Sequence, residues 1–296
     1  MTIAVIGATG FVGRALVAAL TERHDVVAVS RRGNAVERPR VRTVAADAAD
    51  APSIRGALEG VDVVYYLVHS LGSPRYAELD RRAAETVAAE AERAGVAQLV
   101  YLGGLGDDLP ELSPHLRSRI ETAAALSAGG VPVTTLRAAV VVGRGSAAFE
   151  TIVALVDRLP VMVAPRWLST PTQPIALADV VRYLTRVAHN QDALGEAFDV
   201  GGPDVLTYRQ MVEHIAGLRG RRPRIVEVPV LTARLSSYWL HLVTPVGASV
   251  ARPLVEGLRN PTIVRDGRIR DLLPFPLTPF DEAARRALGG SAPADA

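Results

Sequence analysis

Three glycines constrain this chain before anything else does. Gly7, Gly10 and Gly13, in the run Gly7-Ala8-Thr9-Gly10-Phe11-Val12-Gly13, lie between a short β-branched strand, Thr2 to Ile6, and a helix. Glycines at this spacing allow a tight turn, bring backbone N–H groups close to a pyrophosphate and let the helix pack closely on the strand. The helix N-terminus adds partial positive charge. The segment therefore reads as a dinucleotide cradle built from Gly7, Thr9, Gly10, Phe11, Val12 and Gly13. A second strand ends in Ser30-Arg31-Arg32, roughly 20 residues on, where an acidic side chain would grip a ribose 2′-hydroxyl and cations would grip a 2′-phosphate. Two arginines there predict NADP(H) in preference to NAD(H). Asp47, just past the third strand, is placed either to accept a hydrogen bond from the adenine amino group or to cap a turn or helix.

The first 143 residues alternate apolar runs with helical stretches. Asp25 to Ser30, Val41 to Ala45, Asp62 to Leu67, Gln98 to Leu102 and Pro132 to Ala138 join Thr2 to Ile6 as strands. Arg75 to Ala94 carries Tyr76, Leu79, Ala83, Val87 and Ala91 at steps of three and four, the stripe of a helix packed on a sheet. Strand–helix alternation with near-continuous apolar strands predicts an α/β fold: a Rossmann-type, doubly wound parallel sheet with a smaller C-terminal α+β lobe. The expected division assigns 1–143 with 175–202 to the dinucleotide-binding domain and 144–174 with 203–290 to the lobe, with 291–296 a disordered tail. Later elements are helices at Ala147 to Arg158, Ile175 to Ala188 and Tyr208 to Leu218, strands at Glu196 to Val200 and Arg224 to Val228, and aromatic-bearing helices at Leu231 to Leu242 and Ala248 to Leu258. Thr278-Pro279-Phe280-Asp281 is a helix start with Thr278 as N-cap. By position after the fourth strand, Leu67, Val68 and His69 should line the cofactor cleft.

Composition narrows the chemistry. Cysteine is absent and all 33 basic residues are arginine, which removes disulfides, thiolates, Schiff-base lysines and a phosphate-cradling P-loop lysine. A formal charge of +2, with arginines scattered among 31 acidic residues, argues against a nucleic-acid partner. Apolar runs stop short of a membrane span, and the N-terminus lacks the basic region of a secretion signal, so the cytoplasm is the expected compartment. The six histidines show no metal-ligand spacing, so no metal site is expected. Gly143-Arg144-Gly145-Ser146 is not an esterase elbow, because no glycine follows two residues after the serine.

Gly7 to Gly13, Arg31-Arg32 and Asp47 resemble the atypical short-chain dehydrogenase/reductase proteins of the NmrA-like kind. Tyr65-Tyr66-Leu67-Val68-His69-Ser70, Tyr101 to Gly106, Ser113 to Ser118 and Leu159 to Val163 are similar to bacterial NAD(P)H-binding proteins related to the NDUFA9-type subunit of respiratory complex I. The resemblance implies a serine or threonine after the fifth strand and a Tyr-x-x-x-Lys pair on the next helix. Here those positions fall on Gly103 or Gly104, His115 and Arg119, leaving His115 as a candidate proton donor. A substrate pocket is expected between the two lobes, lined by parts of Leu159 to Pro174 and Leu231 to Thr244, with Met162, Trp167, Tyr238, Trp239 and His241. Two functions remain open: an NADP(H)-dependent oxidoreductase on a hydrophobic carbonyl, enol or quinone-like compound, or a non-catalytic NADP(H)-binding sensor or accessory protein with a protein partner.

Overall fold

The computed structural model describes residues 1–34, 38–106, 112–228 and 257–289. Along the chain come β1 (Thr2–Ile6), α1 (Phe11–Leu20), β2 (Asp25–Ser30), β3 (Val41–Ala45), α2 (Ala51–Ala57), β4 (Val63–Tyr66), α3 (Tyr76–Arg93), β5 (Gln98–Gly104), α4 (Pro114–Ser127) and β6 (Val133–Ala138). They are followed by β7 (Val141–Val142), α5 (Ala147–Arg158), β8 (Val161–Pro165), β9 (Pro171–Thr172), β10 (Ile175–Ala176), α6 (Leu177–Val187), β11 (Ala197–Val200), β12 (Leu206–Thr207), α7 (Tyr208–Leu218) and β13 (Arg224–Val228). Two further helices, Arg268–Leu272 and Phe280–Gly289, lie near the C-terminus.

Seven strands form one sheet in the order β11-β6-β5-β4-β1-β2-β3, every pair parallel. This is the predicted doubly wound sheet. Alternation along β1 sends Ile3 and Val5 to one face, with α1 and α6, and Ala4 and Ile6 to the other, with α2, α3 and α4. Because both faces are covered, β4 reads Val-Val-Tyr-Tyr with all four residues buried. Strand order reverses between β1 and β4, and ligands of open α/β sheets bind in the crevice beyond such a switch point.

Most element boundaries fall within one residue of expectation, and two depart further. β5 runs two residues further than predicted, because Gly103 and Gly104 keep register with Arg137 and Ala138. The single helix expected over Ile175 to Ala188 is a short strand and then a helix. Ile175, β-branched and following Pro174, donates its N–H to Val140 and pairs in β10 with β7 before α6 begins.

The C-terminal lobe has its own apolar core of Phe149, Val156, Met162, Met211, Ile215 and Ala284, among others. β8 pairs with β13, and α7 starts with a capping box between Thr207 and Gln210. The return segment around Ile269 and Phe275 packs instead on the α1/α6 face of the large sheet, where Tyr183 meets the Phe275 ring at 4.6 Å. It thus sides with the large domain's core, against the expected division. Thr278 does not cap the last helix with its side chain: its N–H and hydroxyl both go to Asp179, at 2.7 and 3.2 Å, and Phe280 N–H is satisfied by Asp204 at 2.7 Å. The tail and the expected helix at 231–242 lie outside the described residues, as does 248–256 of the following one. Among the described residues no helix is long and apolar enough to cross a membrane.

Candidate cofactor and active site

The glycine turn has the geometry of a phosphate cradle. Gly7 has φ +95°, a region that disfavours side chains, and a Cβ on it would lie 2.8 Å from the carbonyl oxygen of Leu67. A Cβ on Gly13 would stand 2.2 Å from the Gly7 carbonyl oxygen, so only glycine lets α1 approach β1 this closely. Gly10 caps α1 in extended conformation without a side-chain hydrogen bond, leaving the first-turn N–H groups of the helix free to face an anion. Thr9 and Gly10 are exposed at the loop, and Phe11 and Val12 are half-buried. A Cβ on Gly143 would lie 3.0 Å from the Phe11 ring, so Gly143 lets its loop close over the start of α1.

At the end of β2, Ser30 is buried, and among the described residues its hydroxyl has no hydrogen-bond partner. Arg31 and Arg32 are exposed beside it, and among the described residues neither is held by a carboxylate. A cradle that a Cβ would fill and an orphaned buried hydroxyl next to two exposed cations are features that the phosphates of a dinucleotide satisfy. Asp47 is exposed, and its Oδ1 accepts from Ala49 N–H at 3.0 Å, the turn role weighed for it above.

Across the switch point, beyond β4 and β5, the structure brings His69 and His115 together. Their rings stack with centroids 5.1 Å apart and planes inclined by 28°. Leu67 and Val68, half-buried, carry the chain from β4 past the glycine turn to His69. His69 Nδ1 lies 2.6 Å from Asp80 Oδ2, while Asp80 Oδ1 accepts Ser70 N–H at 2.8 Å. A carboxylate can only accept, so Nδ1 carries the proton and Nε2 the lone pair. Nε2 of His69 and Nδ1 of His115 are both buried without a partner. Burial lowers the His69 pKa below its usual value, against the raising hydrogen bond from Asp80. His115 is pushed down to about 3, by burial first and then by Arg119 and His69. His115 is therefore neutral near pH 7, which removes it as an imidazolium acid there and leaves it as a neutral contact.

Sequence reasoning missed Asp80. Its signal is a carboxylate on the inward stripe of α3, in step with Ala83, Ala84 and Val87, and it is 1% exposed. Where the resemblance implies a lysine, Arg119 is committed to the fold. Its Nη2 donates to Leu102 O at 2.6 Å, and its guanidinium lies 5.3 Å from the Tyr101 ring centre. Of the expected pocket residues, Met162 is 6% exposed within the lobe's core, the position of a packing side chain. Trp167 lies in the 3₁₀ turn Arg166–Ser169, and Tyr238, Trp239 and His241 fall outside the described residues. A cavity of about 380 Å³ opens beyond β5, β6 and β11, with Arg137, Asp199, Arg265 and Asp266 in its lining and, among the described residues, none of the expected pocket residues.

The family described as NAD(P)H-binding matches residues 7–145. The mitochondrial NADH dehydrogenase 1 alpha subcomplex subunit 9 of Arabidopsis thaliana is 25% identical over 245 residues, covering 78% of this chain but only 61% of that protein. The (4-alkanoyl-5-oxo-2,5-dihydrofuran-3-yl)methyl phosphate reductase of Streptomyces griseus is 29% identical over 242 residues, covering 78% of this chain and 79% of the relative. Among solved structures, the Citrobacter triphenylmethane reductase complexed with NADP(H) superposes with a TM-score of 0.75 at 17% identity, over 97% of this chain and 100% of that one. Nucleotide-sugar epimerases share the fold as well. The chain is thus similar, over residues 7–145, to the NAD(P)H-binding family and, over most of its length, to NDUFA9-type complex I subunits and to reductases.

Proposed function

We propose that this chain is an NADP(H)-dependent reductase of hydrophobic, electron-poor compounds, namely conjugated carbonyls, enols or quinone-like molecules, acting in the cytoplasm. The observation that carries the reading is the end of β2, where Arg31, Arg32 and the unpartnered Ser30 hydroxyl flank the glycine cradle. The bound cofactor supplies a hydride; the chain supplies binding, orientation and a proton path. Simple ketones need strong protonation of the carbonyl oxygen as hydride arrives, and the chain offers no phenol–lysine pair for it. Hydride addition to a carbon conjugated with a carbonyl delocalises the developing charge and asks less of an acid. The Streptomyces relative, whose printed substrate is an oxo-dihydrofuran with an alkanoyl group, supports that class.

The test follows nicotinamide absorbance with NADPH and a panel of quinones, unsaturated lactones and enones, against secondary ketones. Conjugated substrates should consume NADPH, with ketones about 10²- to 10⁴-fold slower, the usual contribution of the phenol–lysine acid that the chain lacks. Ketone turnover as fast as that of enones would sink the reading. A second reading, a non-catalytic NADP(H)-binding accessory protein, is favoured by Gly103, Gly104 and Arg119 at the positions of the implied catalytic side chains. It expects NADPH binding with no consumption on any member of the panel.

A further inference from the structure

We propose that His69, oriented by Asp80, passes the proton to and from the ligand's oxygen in this cleft, in place of the phenol–lysine pair the chain lacks. The proposal rests on the reductase reading and adds the group that completes it.

Three observations point to His69. First, it stands two residues beyond Leu67, whose carbonyl abuts the Gly7 turn, so the loop that carries it borders the cradle. Arg31 and Arg32 lie beyond β2 on one side of β1, and His69 lies beyond β4 on the other, at opposite ends of the switch-point crevice. Second, Asp80 is buried on α3 and takes up both His69 Nδ1–H and Ser70 N–H, which fixes the ring and its tautomer. A carboxylate spent on orienting one imidazole, with the opposite ring nitrogen left free, is the arrangement of a base and its orienting group. Third, Nε2 is buried and unpartnered among the described residues, an expensive state unless a ligand completes it. His115 stacks on the ring, and Tyr76 meets it edge-on at 6.4 Å, so both hold its plane without using Nε2.

The chemistry balances. In reduction, hydride from the cofactor adds to the electron-poor carbon, the Nε2–H bond of protonated His69 breaks and an O–H bond forms on the ligand. His69 is left neutral and regains its proton from water. In oxidation the same nitrogen, already neutral, takes the hydroxyl proton as hydride leaves.

The groups facing His69 are Asp80 and Tyr76 from α3 and His115 and Arg119 from α4. Burial and Arg119 lower its pKa, while Asp80 raises it. Reduction, which needs the protonated form, should therefore fall as pH rises, from a midpoint below the ordinary histidine value. Without the Asp80 carboxylate that fall should begin at still lower pH.

The experiment combines kinetics with histidine ¹⁵N NMR on the full chain. His69→Gln should lower kcat with a quinone or enone by about 10²- to 10⁴-fold while NADPH affinity stays within about twofold. Asp80→Asn should lower kcat less and move the pH profile down, a change that loss of packing alone does not produce. Independently of turnover, the His69 resonances should show the Nδ1–H tautomer and should shift when NADP⁺ is added. Wild-type kcat and an unchanged pH profile in His69→Gln would overturn this proposal and leave the reductase reading standing. An Nε2–H tautomer, or no response to NADP⁺, would overturn it as well. If the wild-type chain consumes no NADPH with any panel member, the reductase reading fails and takes this proposal with it.

Discussion

A single methyl group is a stringent probe of the cradle. At Gly13 it would sit 2.2 Å from the Gly7 carbonyl oxygen and 3.0 Å from Ala8 Cα, both backbone atoms that cannot turn aside. Gly13→Ala must therefore push α1 off β1, and overpacking of this kind costs about 1–3 kcal/mol. The expected outcome is a lower midpoint in urea unfolding and a loss of NADPH affinity of at least roughly tenfold. An unchanged midpoint and affinity would show that the turn is looser than its geometry says. Glycine spacing was legible because it is a backbone requirement written in one residue type. The His69–Asp80 pair was only half legible: strand order predicts where His69 ends up, but its partner lies eleven positions on, on a helix whose rotation no motif records. The low pKa of His115, pushed down to about 3, was not legible, because burial is a property of the packed protein.

Elements are joined by a few buried polar residues as well as by apolar packing. Gln98, fully buried at the start of β5, donates to Thr134 Oγ1 on β6 at 2.7 Å and to the Val187 carbonyl at the end of α6 at 3.0 Å. Its Oε1 accepts the N–H of His189, a non-glycine residue held at φ +56°, at 2.8 Å. Gln98→Ala removes three partners at once and strands the buried Val187 carbonyl, so it should cost at least about 2 kcal/mol in chemical denaturation. By contrast, Glu85→Ala, which breaks the exposed Arg81 pair on α3, should cost no more than about 0.5 kcal/mol. Equal costs would mean that Gln98 is not a clamp between β5, β6 and α6. The sheet's elements were legible because apolar runs and helical stripes carry their own period. The β10–α6 boundary was not, since Ile175 and Ala176 satisfy a helical stripe as well as a strand and only their pairing with β7 decides.

At the scale of the molecule, the sheet order places two chemically different ends on one crevice. The cationic end beyond β2 follows directly from the sequence. The imidazole end beyond β4 and β5 emerges only when α3 and α4 are docked. The return of Ile269 and Phe275 to the large core was not legible, because a short apolar segment carries no mark of which core it joins. The account stands or falls on what the crevice binds, and calorimetric titration of the full chain with NADPH and NADH tests that most directly. Two charge-assisted contacts of about 1.5–3 kcal/mol each, trimmed by solvent at exposed Arg31 and Arg32, predict NADPH binding roughly ten- to hundredfold tighter. The Arg31→Ala/Arg32→Ala double variant should erase that preference while still binding NADH. Equal affinities for the two cofactors in the wild-type chain, or a preference that survives the double substitution, would contradict it.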